Sequence, residues 1–96
     1  MAAITEADRL LMLKTDLGFK GTGYDDRLKQ ILSSSETAIK GEGAKTLDVT
    51  TLDDAQLVVM YSAWIWRRRD TGEGMPRMLR WSLNNRIFSE KARGDD

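Results

Sequence analysis

Residues 57–66 read LVVMYSAWIW, and nine of the ten are apolar or aromatic, with Ser62 the one interruption. A helix that is apolar on every side has to be wrapped by other elements. The run is too short for a membrane, because a spanning helix needs about 20 apolar residues. It is therefore expected to be the central helix of a small all-α domain. Thr51-Leu52-Asp53-Asp54 precedes it with the spacing of a capping box. Arg67, Arg68 and Arg69 follow it, where cations meet the negative end of the helix dipole. Tyr61, Trp64 and Ile65 continue the face of Leu57 and Val58, while Val59, Met60 and Trp66 cover the other sides. Two readings of that surplus stand open. Either a flank at Met60 or Trp66 seats a neighbouring subunit, or loops and arginine stems cover it. Three consecutive arginines fan around most of the helix circumference, so they cannot all serve one site.

Toward the C-terminus, Thr71-Gly72-Glu73-Gly74-Met75 is a tight turn, and Pro76 is placed to open a last helix at its first position. Leu79, Leu83, Arg86 and Ile87, joined by Met75, make its inward face. Trp81 and Phe88 lie i, i+7 on another face, with Arg77 four residues before Trp81. A second apolar face on a terminal helix points to packing against something else. Residues 89–96 read as a flexible tail.

Toward the N-terminus lies a polar linker, residues 41–50, with Gly41 expected to cap the helix before it. Its piece GEGAKT fails as a phosphate loop, because Ala44 stands where glycine is required and no strand precedes. Lys45 to Val49 alternates polar and apolar, as a short extended segment or a plain surface loop would. Before it, Tyr24, Leu28, Ile31, Leu32, Ser35, Ala38 and Ile39 fall on one face of a helix over 25–40. Asp25 is its expected N-cap, and Asp26 complements the dipole. Adjacent on a helix, these two carboxylates do not converge on one point. The stretch GFKGTG at 18–23 is a loop that follows a helix, which is wrong for cradling phosphate. The first helix runs over 5–17, with Leu10, Leu13 and Leu17 recurring at helical spacing and Leu11 and Met12 widening the stripe, Thr5 as N-cap, Asp8 completing a capping box, and Gly18 as its stop.

The chain has 96 residues, enough for one domain with a modest core. It has no cysteine, which excludes disulfides and thiolate chemistry, and no histidine, which removes the commonest general base and metal ligand. No convergent acid pair replaces them, so an enzyme is the weakest reading, and no cofactor or metal is expected. Lys+Arg and Asp+Glu both total 15, yet residues 1–66 carry seven basic and ten acidic groups and residues 67–96 carry eight and five. The net −3 and +3 halves suit head-to-tail contact between copies, and argue against a general nucleic-acid coat. The N-terminus lacks a basic start followed by an apolar run, so the chain is expected to stay in the cytoplasm where it is made unless built into something that leaves.

The segments LKTDLGFKGTGYDDRLKQILSSSETAIKGEGA at 13–44, DDAQLVVMYSAWIWRRRD at 53–70 and MPRMLRWSLNNRIF at 75–88 together carry a family likeness. The chain resembles the small head–tail connector, or adaptor, proteins of long-tailed bacteriophages. That resemblance implies an all-α virion component without catalysis, with no membrane, at the head–tail junction and assembled in the host bacterial cytoplasm. It implies a homo-oligomeric ring of about twelve copies under the portal protein, which extends the channel for packaged double-stranded DNA. The ring would be a platform for the next head-closure or tail-completion protein. Portal contacts would come from Arg77, Arg80, Trp81, Phe88, Lys91 and Arg93. Contacts between copies would come from Asp53, Asp54, Met60, Trp66, Arg67, Arg68 and Arg69, and Lys45 would face the channel. The alternative is a small helix-turn-helix regulator. Arg80, Asn84 and Asn85 would then read base edges and Arg77 a phosphate. Against it, Trp81, Leu83 and Ile87 are bulky and apolar, and the turn before that helix exceeds the usual 3–4 residues.

Overall fold

Thr5 and Asp8 form the expected reciprocal cap: the Asp8 N–H donates to Thr5 Oγ1 at 3.1 Å, and the Thr5 N–H donates to the Asp8 carboxylate at 2.9 Å. The computed structural model describes residues 2–94, the Arg93 side chain excepted. Among them are four helices and no strand: α1 Glu6–Leu17, α2 Asp25–Glu42, α3 Leu52–Thr71 and α4 Arg77–Gly94. The domain is all-α. Helix α1 ends at Gly18, whose φ of 77° lies in the left-handed region that favours glycine. Helix α2 starts one residue earlier than its acid pair suggests. Tyr24 is the N-cap, and Asp25 is free to hold Lys14 of α1 at 2.9 Å. It also runs past Gly41 and stops at Gly43 instead.

Of the α2 face, Leu28, Ile31, Leu32, Ser35 and Ile39 are buried and Ala38 is half-buried, whereas Tyr24, the N-cap at its start, is exposed and stacks on Phe19 instead of entering the core. Ser35 explains the interruption in the central run, because Ser62 Oγ donates to Ser35 Oγ at 2.9 Å inside the core. Helices α1 and α2 pack on each other and on α3, while α4 packs chiefly on α3. The result is a slab of 46 × 35 × 18 Å, with α4 as an arm beside a three-helix layer. Most of α3 is covered within one chain: Leu57, Val58, Val59, Ser62, Ala63 and Trp66 are buried. Met60, Tyr61, Trp64 and Ile65 are covered in part.

Three expectations are corrected here. The connection from α2 to α3 is residues 43–51, built of turns with no extended segment. Ala44 and Leu47 within it are buried in the core and Val49 packs against it, so hydrophobic burial shapes this linker. Thr51 is the N-cap of α3 but makes no side-chain cap, since its hydroxyl donates to the Asp48 carbonyl and the Asp54 carboxylate is engaged elsewhere. The tail expected at 89–96 is helical through Gly94; Asp95 and Asp96 lie outside the described residues.

Candidate interaction surface on the fourth helix

Helix α4 is held at its start and again along its length. At its start, the turn after α3 is fixed by Gly72, whose φ is 66° and whose N–H donates to the Arg68 carbonyl at 2.7 Å. The indole N–H of Trp64 donates to the Glu73 carbonyl at 3.3 Å. Pro76 stands one residue before the helix, and its carbonyl accepts from the Arg80 N–H at 3.0 Å. Further along, Arg86 Nε donates to Asp54 Oδ1 at 2.9 Å, and its Nη2 reaches Thr46 Oγ1 at 3.2 Å. The other Asp54 oxygen accepts from the Asp48 N–H at 2.8 Å, and Glu90 accepts from the Thr46 N–H and hydroxyl. This polar cluster joins α3, α4 and the 43–51 linker. Asp54 is 8% exposed, and Arg86 and the Asp48 N–H stand in for the water its carboxylate gives up on burial.

Leu79 and Leu83 point from α4 into the core. On the opposite side of the helix, Met78, Trp81 and Phe88 are 65%, 61% and 73% exposed. With Asn85 they fall at i, i+3, i+7 and i+10, the spacing of a single helical seam. Arg77, Arg80 and Lys91 border it and are exposed. None of the four ion pairs among the described residues involves them. An apolar stripe edged with unpaired cations on a firmly anchored helix is suited to seating against an apolar, acidic partner surface.

A groove runs along α3 between α1 and α4, with Met60 at the junction of its three adjoining cavities. The one against α1, about 500 Å³, is lined by Leu11, Met12, Thr15, Asp16, Gln56, Val59 and Met60. The one against α4, about 400 Å³, includes Asp53, Gln56, Trp81 and Asn85.

Of the residues expected between copies, Asp53 is exposed and Met60 is half-buried on the groove floor. Asp54 and Trp66 are corrected: both are spent inside the chain. Asp54 pairs with Arg86, and Trp66 meets Phe19 edge-on at 5.3 Å and Tyr24 at 5.5 Å. The arginines after α3 diverge as the helix geometry demands. Arg67 donates to the Asp16 carbonyl, Arg68 stacks over Trp64 at 4.8 Å, and Arg69 stacks over Trp66 at 3.7 Å. All three remain exposed. Lys45 is exposed on the linker. The Arg93 side chain lies outside the described residues. Sequence reasoning missed the groove between α1 and α4, and Leu11, 65% exposed on its wall, was grouped with the core stripe. It also missed Asp48, whose side chain accepts from the Thr50 hydroxyl and N–H; these two bonds hold its carboxyl below the usual value of 3.8. The pattern D-x-T was the available signal for that turn.

Among the described residues no group of three or more acidic side chains is placed to hold a metal ion, and no helix is long and apolar enough to cross a membrane. No family model, curated protein or solved structure matches this chain.

Proposed function

We propose that this chain is a structural component of a bacteriophage head–tail junction. It is a small helical adaptor, about twelve copies of which ring the portal protein, extend the channel for packaged double-stranded DNA and seat the next head-closure or tail-completion protein. The observation that carries this reading is the anchored α4 with an unpartnered face, Met78, Trp81 and Phe88. A helix held rigidly through the Asp54–Arg86 pair but left apolar on its outer side is a device for assembly. The flat shape suits a wedge in a ring, and the acidic and basic halves suit contact between unlike faces of neighbours. Phe88 and Lys91, near the free end of α4, are the residues proposed to meet the portal. Lys45 is proposed to face the channel. The virion head–tail junction is the proposed location, after assembly in the bacterial cytoplasm.

The regulator reading is weaker on the same observation. The helix that would enter a DNA groove presents Trp81 and Phe88 beside Arg80, Asn84 and Asn85. Large apolar rings facing phosphates and water gain nothing there. The two readings separate by electron microscopy and salt titration. Purified protein mixed with portal-bearing, DNA-filled capsids is expected to add density at the portal vertex alone. Absence of that density, together with tight binding of one duplex sequence that weakens steeply with salt, would overturn the adaptor in favour of the regulator.

A further inference from the structure

Resting on the ring reading, we infer that neighbouring copies join through α4 and the α1/α3 groove. The Met78–Trp81 knob of one copy seats in the cavity of about 500 Å³ lined by Leu11, Met12, Val59 and Met60 of the next. Knob and cavity are complementary in kind. Trp81 and Met78 are more than 60% exposed, and so is Leu11 on the receiving wall. An aromatic side chain buries about 150–250 Å² when enclosed, which makes a tryptophan in a pocket the strongest single anchor available here. The receiving cavity is built without any residue of α4, so a chain's own Trp81 does not fill it.

Charge complementarity points to a second copy as the occupant. Arg77 and Arg80 flank the knob, Asp16 lines the receiving cavity and Asp53 lines the cavity next to it. None of the four takes part in an ion pair among the described residues. Arg67 on the same flank is turned to the Asp16 carbonyl and leaves that carboxylate unpaired. Two α4 helices face to face would instead oppose Arg77, Arg80 and Lys91 to one another, which the like charges disfavour, while Asp53 beside Trp81 and Asp16 beside Met78 line the groove toward α3. A contact between two different patches repeats around a ring, whereas a self-complementary one stops at a dimer. The knob is small beside the roughly 1,200–2,000 Å² of a stable interface, so the contact is weak between free chains and strengthens when the ring closes on its support. This places Arg77, Arg80 and Trp81 against the neighbour, while Phe88 and Lys91 stay with the portal.

The chain has no native cysteine, which makes cross-linking decisive. Thr15→Cys protein and Asn85→Cys protein are mixed at high concentration with a short bis-maleimide. The unlike pair is expected to dominate both like pairs, and adding Trp81→Ala to the Asn85→Cys chain is expected to cut that product by about tenfold or more, with thermal melting unchanged. A dominant Asn85–Asn85 product, or a yield of the unlike pair indifferent to Trp81, would overturn the contact. If the chain decorates portal vertices yet gives no unlike pair there, this contact fails and the adaptor stands. If the unlike pair forms but the chain never adds density to a portal, the contact stands and the adaptor fails.

Discussion

Ser62 sits in the most apolar stretch of the chain because Ser35 lies opposite it, 2.9 Å away in the core. Each hydroxyl is the other's partner, so losing one strands the other in an apolar setting. Ser62→Ala and Ser35→Ala are each expected to cost about 1–2 kcal/mol in urea unfolding, and the double variant less than the sum of the two. Additive losses would show that the pair is not coupled. Arg86 carries a larger debt. Replacing it by Met leaves the Asp54 carboxylate buried without its cation, at a cost of about 3–5 kcal/mol measured the same way. Asp54 could not be assigned to this role from its neighbours in sequence, because its partner is 32 residues away. A capping role is the local reading, and a long-range charge displaced it.

Helix ends follow the same division. Gly18 stops α1 where the leucine stripe ends, and the stripe itself shows it. Gly41 and Gly43 are equivalent as sequence, and the choice of Gly43 depends on where α4 passes. A Cβ built on Gly43 would lie 3.2 Å from Ile87 Cγ2, and its φ of 134° is one that side chains rarely adopt. Gly43→Ala is therefore expected to lose about 1–3 kcal/mol and to speed hydrogen exchange in α4 as well as at the end of α2. Exchange unchanged in α4 would mean that the two elements are not mechanically joined there. Helix α4 gives the opposite test on its outer side. Trp81→Glu and Phe88→Glu are expected to leave stability in urea unfolding within the small range of surface substitutions, about ±0.5 kcal/mol. Leu83→Glu, at a fully buried position on the same helix, is expected to abolish folding, which circular dichroism reads directly.

At the scale of the molecule, stability is expected to be flat from about pH 5 to pH 8, because no histidine titrates there. On the acid side, backbone and hydroxyl bonds from Thr5 hold Asp8, and those from Thr50 hold Asp48, below the ordinary 3.8. A carboxyl whose value is lower in the folded chain stabilises the fold above 3.8, and that contribution disappears as pH falls through the folded value. Thermal melting should accordingly decline below about pH 4, and less steeply in an Asp8→Asn/Asp48→Asn variant. A chain ended after Ser89 loses Glu90, which holds the linker through Thr46, so it should melt lower than one ended after Gly94. Equal melting would remove the polar cluster from the account of how α4 is anchored.

Local order was legible in the residues themselves: four helices, the inner faces of α2 and α4, the cap at Thr5 and the exposed ring pair Trp81 and Phe88. Periodicity and capping are short-range properties, set by neighbours within a turn or two. Which face of the central helix stays open, which acid is buried, and where a groove forms between α1 and α4 were decided only by tertiary structure. Those features depend on residues dozens of positions apart meeting across packed helices. Trp66 shows the limit most plainly. Its side chain has the same apolar character whether covered by Phe19 and Tyr24 or by a neighbouring subunit, and only the fold of the 18–24 loop over α3 distinguishes the two.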